Sequence, residues 1–565
     1  MQLNRTDLLE SSRSEANKWL NYGLEIDEEK EIKYLLKEGN ENDLIESFYK
    51  KLEFGTGGMR GLIGIGINRI NTYTISLATQ GLCNYLNRIS GNSKTAVIAY
   101  DSRRFSKKFG YQAAKIFSAN NIKSFIFSDL RPTPELSYAV RELNCSCGIV
   151  ITASHNPKEY NGYKVYWNDG GQITAPHDKN IISEVEKITD FNQINFKYNN
   201  GLIHKIDKEI DEKYIKEIKN LSLYDNSDSQ LKIVFSSLHG TGITQIPNAL
   251  KAFGFKNIKS VKSQEEPDSE FSTVISPNPE DKDALELGIK KLKEEKGDIL
   301  LATDPDSDRV GVAVNLNNKI EVLNGNQLAS LIVYYTLLKL DTKKINKPPF
   351  VAKTIVTTKL IDEIAKDFGV KSYSTLTGFK FIAELIKNKK NEKFIAGGEE
   401  SYGYLVNDFV RDKDAIISCA VISEIANWAK SNRKSLIDIL EEIYNTYGFF
   451  LEELYTIKME GIKGSSKISE IMEKYRDNPP LTIFGDKVKE VIDYSKSVNN
   501  PIIKVKSNVI QLISEKNYSI TLRPSGTEPK IKFYFSISGV NNDENKVKLP
   551  NLIEKEILKI KNNYE

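Results

Sequence analysis

At 565 residues the chain has room for about four domains of the usual ~150-residue size, and 40% hydrophobic residues suffice to build buried cores. Its 79 Lys and Arg against 76 Asp and Glu leave a formal charge of +3, which excludes a bulk electrostatic attraction to nucleic acid or to an anionic membrane surface. The polar start MQLNRTDLLESSRSEANKWL lacks the apolar stretch of a signal peptide, and no run approaches the roughly 20 apolar residues of a membrane span, so a soluble cytoplasmic protein is expected.

Residues 1–50 read as a helical extension, a charged helix through EEKEIKYLLKEG followed by NDLIESFYKKL. From about residue 94 short β-branched or apolar runs alternate with amphipathic stretches: TAVIAY, SFIFS and GIVIT in a first block. KIVFSS, DILLAT and VGVAV make a second, and PFVAKTI, KSYSTL and KFIAG a third. This is the βαβ rhythm of sheets covered by helices on both faces. After about 450 the runs PIIKVK, VIQLIS, YSITL and KIKFYFSIS, joined by short polar turns, predict antiparallel strands with helices to one side. The fold class is therefore α/β, with three similar α/β domains at 51–205, 206–325 and 326–450 and an α+β domain at 451–565. Cys83, Cys145, Cys147 and Cys419 are too few and scattered for a disulfide framework, and the single C-x-C lacks a second ligand pair for zinc. They read as buried thiols.

Four loops concentrate reactive residue types. TASHNPKEYNGYKVY at 152–166 follows the buried run GIVIT, at the carboxyl end of a strand, where α/β sheets place ligands. Ser154 there is a loop cap or a nucleophile; the adjacent His155 is no triad base by position alone, and the elbow G-x-S-x-G is absent. DPDSDR at 304–309 follows DILLAT, and carboxylates at alternate positions of a turn can converge on one hard cation or simply face water. It is no EF-hand loop, because Arg309 and Asn315 stand where glycine and glutamate are required. GGEESYGY at 397–404 offers carboxylates to sugar hydroxyls or is an acidic surface turn. RPSGTEPKIKFY at 523–534 is a β-turn or a nest for a phosphate dianion. FGTGGMRG at 54–61, TLTGFK at 375–380 and VRDKDA at 410–415 are supporting basic or small-residue loops.

In this order the four loops resemble the signature loops of the α-D-phosphohexomutase superfamily, over residues from about 54 to 540. That resemblance implies four domains around a central cleft, three related α/β units and a last α+β unit. It implies that Ser154 carries the phosphoryl group and that Asp304, Asp306 and Asp308, completed by the Ser154 phosphate, hold Mg²⁺. Glu399 and Ser401 would grip sugar hydroxyls, and Arg523, Ser525, Gly526 and Thr527 the non-reacting phosphate. Arg60, Lys164, Arg309 and Lys413 would face the transferring phosphoryl or assist proton transfer, and His155, Thr377 and Gly378 would join the substrate contacts. The tyrosine in GEESYGY, with GTGGMRG and the helical extension, resembles the long phosphoglucomutase subgroup that includes phosphopentomutases. The implied activity is interconversion of glucose 1-phosphate and glucose 6-phosphate, with glucose 1,6-bisphosphate as intermediate and activator. Phosphomannomutase and phosphopentomutase follow as alternatives. Two readings of another kind are a sugar-phosphate binding protein without turnover and a phosphatase.

Overall fold

The computed structural model describes residues 5–55, 57–89, 94–341, 344–459, 461–496, 498, 500–525 and 530–564. The chain forms two compact units, Met1–Glu321 with Asn407–Ser423, and Val322–Val406 with Glu424–Glu565.

The first unit begins with helices Arg5–Trp19, Ile26–Leu35 and Glu41–Phe48. Only the second and third are evident from the sequence. The first buries a sparse stripe, Ser12, Ala16 and Trp19, whose indole meets Phe48 edge-on at 5.5 Å. A six-stranded sheet follows, in the order Gly58–Leu62, Tyr160–Trp167, Cys147–Ile151, Thr95–Tyr100, Lys123–Phe127 and Ile203–Ile206. Its last four strands are parallel and its first two pair antiparallel. Cys147–Ile151 and Thr95–Tyr100 are buried almost throughout, the pattern of strands covered on both faces. A second sheet of five strands is built around Ile233–Ser236 and Ile299–Thr303, which run parallel, with Val310–Leu316 turning back antiparallel.

The second unit holds a four-stranded sheet, ordered Lys371–Thr375, Pro349–Thr354, Lys393–Glu399 and Gly403–Val406. Its helix Gly325–Lys339 starts on Asn324, whose side chain accepts the Gln327 N–H and satisfies one of the orphan donors of the first turn. Its other sheet is antiparallel, running Phe449–Lys458, Lys530–Gly539, Ser519–Pro524, Ile510–Ser514, Asp486–Asp493 and Thr482–Ile483. Ile531, Phe533, Phe535 and Ile537 alternate along one strand and share a core with Ile471 and Met472 of helix Gly461–Asp477 and with Leu549 and Ile553 of helix Asp543–Tyr564. Both helices therefore cover the same sheet face.

The mixed α/β sheets and the antiparallel last sheet agree with the fold class read from sequence. PIIKVK is the exception: it forms no strand. The Asn500 side chain takes the N–H groups of Ile502 and Ile503, and Ile503 buries into a small cluster with Leu376, Tyr494 and Val509. All four cysteines are buried and free. Among the described residues no helix is long and apolar enough to cross a membrane.

Candidate active site

Ser154 sits just past the strand Cys147–Ile151, buried, with a left-handed backbone at φ 55°. Such a conformation is uncommon for a residue with a side chain and persists only where the surroundings impose it. Here its N–H donates to Thr152 Oγ1 at 2.8 Å and its carbonyl accepts from Arg103 at 2.6 Å. Arg103 also donates to the carbonyls of Asn156, Pro157 and Tyr160, and its Nε lies 3.2 Å from Asp101, with both side chains fully buried. One guanidinium thus fixes the whole reactive loop from beneath, and it stacks on Phe271 at 5.0 Å.

The DPDSDR loop meets Ser154 directly. The Ser154 hydroxyl donates to Asp304 Oδ2 at 2.9 Å and lies 3.2 Å from His155 Nδ1. Asp304 Oδ1 accepts the backbone N–H groups of Asp308 and Arg309, both at 3.0 Å, so the turn is wound around its first carboxylate. Asp306 Oδ2 accepts from Thr133 Oγ1 at 3.0 Å and from Lys164 at 2.6 Å. Asp308 Oδ2 lies 3.1 Å from Lys413 and 3.4 Å from Lys164. Gly240 sits where a Cβ would fall 2.3 Å from the Pro305 Cα, which lets Thr241 close on the loop with two hydrogen bonds to the Pro305 carbonyl.

The three aspartates are fully buried, and one carboxylate oxygen from each falls within 4.8 Å of the others. Burial and the charges of Asp306 and Asp308 push Asp304 well above the usual carboxylate range. Asp308 goes the other way: burial opposes its charge, but Lys413, Lys164 and Arg309 hold it far below that range. Asp306 Oδ1 and Asp308 Oδ1 are buried and accept no hydrogen bond among the described residues. Converging hard oxygens with lone pairs left over are what a small divalent cation requires, so the residues present fit Mg²⁺.

The expected cations are all here. Arg60 donates to Asn156 Oδ1 at 2.9 Å, and Arg309 pairs with Glu280 and approaches Asp308 at 3.8 Å. Burial, reinforced by Arg309 and Arg60, holds the His155 imidazole well below its ordinary range, in the neutral form. Lys413 is carried by the segment between Asp412 and Asp414. Burial pushes Asp414 up from 3.8 to about 7, against the hydrogen bonds it accepts from Tyr214 and from Ile417. Its contribution to stability is thus fully present below about pH 4 and is lost as pH rises through about 7, by at most roughly 4 kcal/mol. Asp414→Asn is expected to flatten that slope, read from urea midpoints at about pH 5 and about pH 8; an unchanged slope would place the titration elsewhere.

Within the second unit, Glu399 ends the strand Lys393–Glu399, is buried, and accepts the Gly378 N–H at 2.8 Å. Gly378 has φ 111° and leads, after Thr377, into the helix Phe379–Asn388. The neighbouring Glu400 accepts from Thr354 and Thr357 at 3.1 and 3.2 Å, and burial beside Glu399 pushes it up to about 6. Ser401 lies in the turn after it. Arg523 is the next-to-last residue of the strand Ser519–Pro524; burial pushes the Tyr534 hydroxyl up, Glu400 and Glu399 add to that and Arg523 opposes it. Ser525 N–H donates to the Lys530 carbonyl at 2.8 Å. Gly526 and Thr527 lie outside the described residues.

Sequence reading missed Arg103, Asp101, Thr133, Glu280 and the tyrosine partners of Asp412 and Asp414. For Arg103 a signal exists: DSRRFS follows TAVIAY at the carboxyl end of a strand, where the other reactive loops lie.

A serine beside an acidic triad fit for a divalent cation, with Lys164, Lys413 and Arg309 against the carboxylates, suits the transfer of a phosphoryl group. The chain belongs to the phosphoglucomutase/phosphomannomutase family of the α-D-phosphohexomutase superfamily. It matches that family's alpha/beta/alpha domain I over residues 51–192, domain II over 212–317 and domain III over 324–447. It is 38% identical over 526 residues to a phosphoglucomutase of Staphylococcus aureus, covering 91% of this chain and 94% of that one. Its fold is similar to that of pp63/parafusin, a phosphoglucomutase from Paramecium, with TM-score 0.69 at 19% identity over 90% of this chain and 95% of that one. A phosphoglucomutase/phosphomannomutase family protein from Burkholderia thailandensis gives TM-score 0.65 at 17% identity over 91% and 98%.

Proposed function

We propose that this protein is a phosphoglucomutase that carries its phosphoryl group on Ser154 and passes through glucose 1,6-bisphosphate. The observation that carries this reading is the Ser154 hydroxyl, 2.9 Å from Asp304 Oδ2 and beside a triad flanked by Lys164, Lys413 and Arg309. The 38% identity to a named phosphoglucomutase supports the substrate.

In the forward half-reaction a hydroxyl oxygen of the sugar phosphate bonds to the phosphorus on Ser154, the bond to Ser154 Oγ breaks, and the sugar hydroxyl proton ends on the released Ser154 Oγ, which becomes a hydroxyl again. The product is a sugar bisphosphate; turned over, it returns its other phosphate to Ser154 Oγ. Asp304, Asp306 and Asp308, with the Ser154 phosphate, would hold Mg²⁺, which supplies positive charge to the phosphoryl oxygens. Lys164, Lys413, Arg309 and Arg60 add to that charge, the main contribution a protein makes to a loose phosphoryl-transfer transition state. Glu399 and Ser401 suit sugar hydroxyls, with His155, Thr377 and Gly378 at the edges of the substrate. Arg523, Ser525, Gly526 and Thr527 suit the phosphate that does not react, and binding energy spent there orients the acceptor. The four buried free thiols suit the reducing cytoplasm.

Initial rates with glucose 1-phosphate, mannose 1-phosphate and ribose 1-phosphate, each with Mg²⁺ and a trace of its bisphosphate, test the substrate. The expected result is the highest kcat/KM with glucose 1-phosphate. A preference for mannose or ribose would make it a phosphomannomutase or phosphopentomutase, release of free phosphate a phosphatase, and no turnover at all a binding protein. Arg523→Ala is expected to raise KM about tenfold to a hundredfold, the worth of one charged hydrogen bond; an unchanged KM would reduce Arg523 to a turn-former.

A further inference from the structure

Lys413 reaches Asp308 from a segment that is clamped on both sides. Its neighbour Asp412 accepts the Tyr166 hydroxyl at 2.6 Å and also the Lys413 backbone N–H at 2.8 Å. On the other side Asp414 accepts the Tyr214 hydroxyl and caps the helix Ala415–Ser431 through the Ile417 N–H at 2.8 Å. Tyr166 lies on the strand Tyr160–Trp167, Tyr214 on the helix Lys208–Lys219, and both side chains are fully buried. The approach to the clamp is held as well. Arg411 N–H donates to Ser137 Oγ at 2.9 Å, Arg141 holds the carbonyls of Asp408 and Phe409, and Ala415 N–H donates to Ser307 O at 3.1 Å, tying the segment to the acidic loop. Phe409 meets the rings of Tyr138 and Tyr214 at 6.1 and 6.3 Å.

A lysine is a flexible four-carbon stem that loses rotamer freedom when it is fixed. Nothing in a loop fixes it unless the backbone on either side is fixed first. We propose that Tyr166 and Tyr214 are positioning residues for Lys413: by holding the aspartates on each side of it, they set where its ammonium stands against the phosphoryl group. They act on the rate of transfer through Lys413 and leave substrate affinity alone.

The test rests on the mutase reading. Tyr166→Phe and Tyr214→Phe each remove one oxygen. Each is expected to lower kcat with glucose 1-phosphate about tenfold to a hundredfold, the scale of a misplacement near 1 Å, and to leave KM unchanged. In a Lys413→Ala background the same substitutions are expected to produce no further loss, because the residue they position is gone. Equal losses with and without Lys413 would make the tyrosines structural and overturn the inference, as would full kcat in both Phe variants. Should one variant fail to fold, the other carries the test, since each hydroxyl holds its own aspartate. An unsubstituted protein that turns over no sugar phosphate would instead defeat the mutase reading itself.

Discussion

Ser154→Ala is expected to lower mutase turnover by at least about ten-thousandfold, the scale on which an enzyme feels the loss of its covalent nucleophile. In the proposed mechanism the lost atom is the one that accepts the phosphoryl group. The fold is expected to survive, because the backbone of the loop is held by Arg103 and Thr152, contacts that do not involve Ser154 Oγ. What stability is lost comes from Asp304 Oδ2, which loses the Ser154 hydroxyl; leaving a buried acceptor unsatisfied costs about 1–3 kcal/mol. Initial rates beside a urea unfolding curve check both halves. Normal turnover in a folded variant would remove Ser154 from the mechanism.

Asp306→Asn has the next largest expected effect. Asparagine keeps the shape and an oxygen for Thr133 but removes the charge that faces Lys164 at 2.6 Å and one ligand of the triad. Outer partners of metal ligands are already worth about tenfold to a hundredfold in affinity, so Mg²⁺ binding is expected to weaken by more than about a hundredfold. Turnover at saturating glucose 1-phosphate is expected to fall about a thousandfold, equivalent to ~4 kcal/mol of lost charge stabilisation. Calorimetric titration with Mg²⁺ and rates against Mg²⁺ concentration measure the two effects. An unchanged Mg²⁺ dependence would leave the triad as a partner of the lysines only.

Much of this site is legible in sequence because its parts are local. Ser154 and Asp304 each stand just beyond an apolar strand, Cys147–Ile151 and Ile299–Thr303, so the run that precedes each loop marks it in the sequence, although the contact between the two spans 150 residues. The α/β rhythm is equally local, since a strand covered on both faces reads as one apolar run. What supports the site is not local. Arg103 earns its role from carbonyls 51 to 57 residues further on, and Tyr166 and Tyr214 from aspartates 246 and 200 residues away. In the sequence each is one more large residue on a strand or an amphipathic helix. The helix Arg5–Trp19 hides for another reason: two of the three residues on its buried stripe are Ser12 and Ala16, which carry little hydrophobic signal. PIIKVK alternates as a strand should, yet Asn500 draws two of its N–H groups into a turn and leaves them unable to join a ladder.

The most direct test of the phosphoserine claim is a single-turnover transfer. The protein is labelled with radioactive phosphate from glucose 1,6-bisphosphate, freed of small molecules, digested to locate the label, and in parallel mixed with unlabelled glucose 1-phosphate. The account predicts label on the peptide bearing Ser154 and its passage into glucose 1,6-bisphosphate within one turnover. Label on another residue, or release of it as inorganic phosphate with none in the sugar, would contradict it.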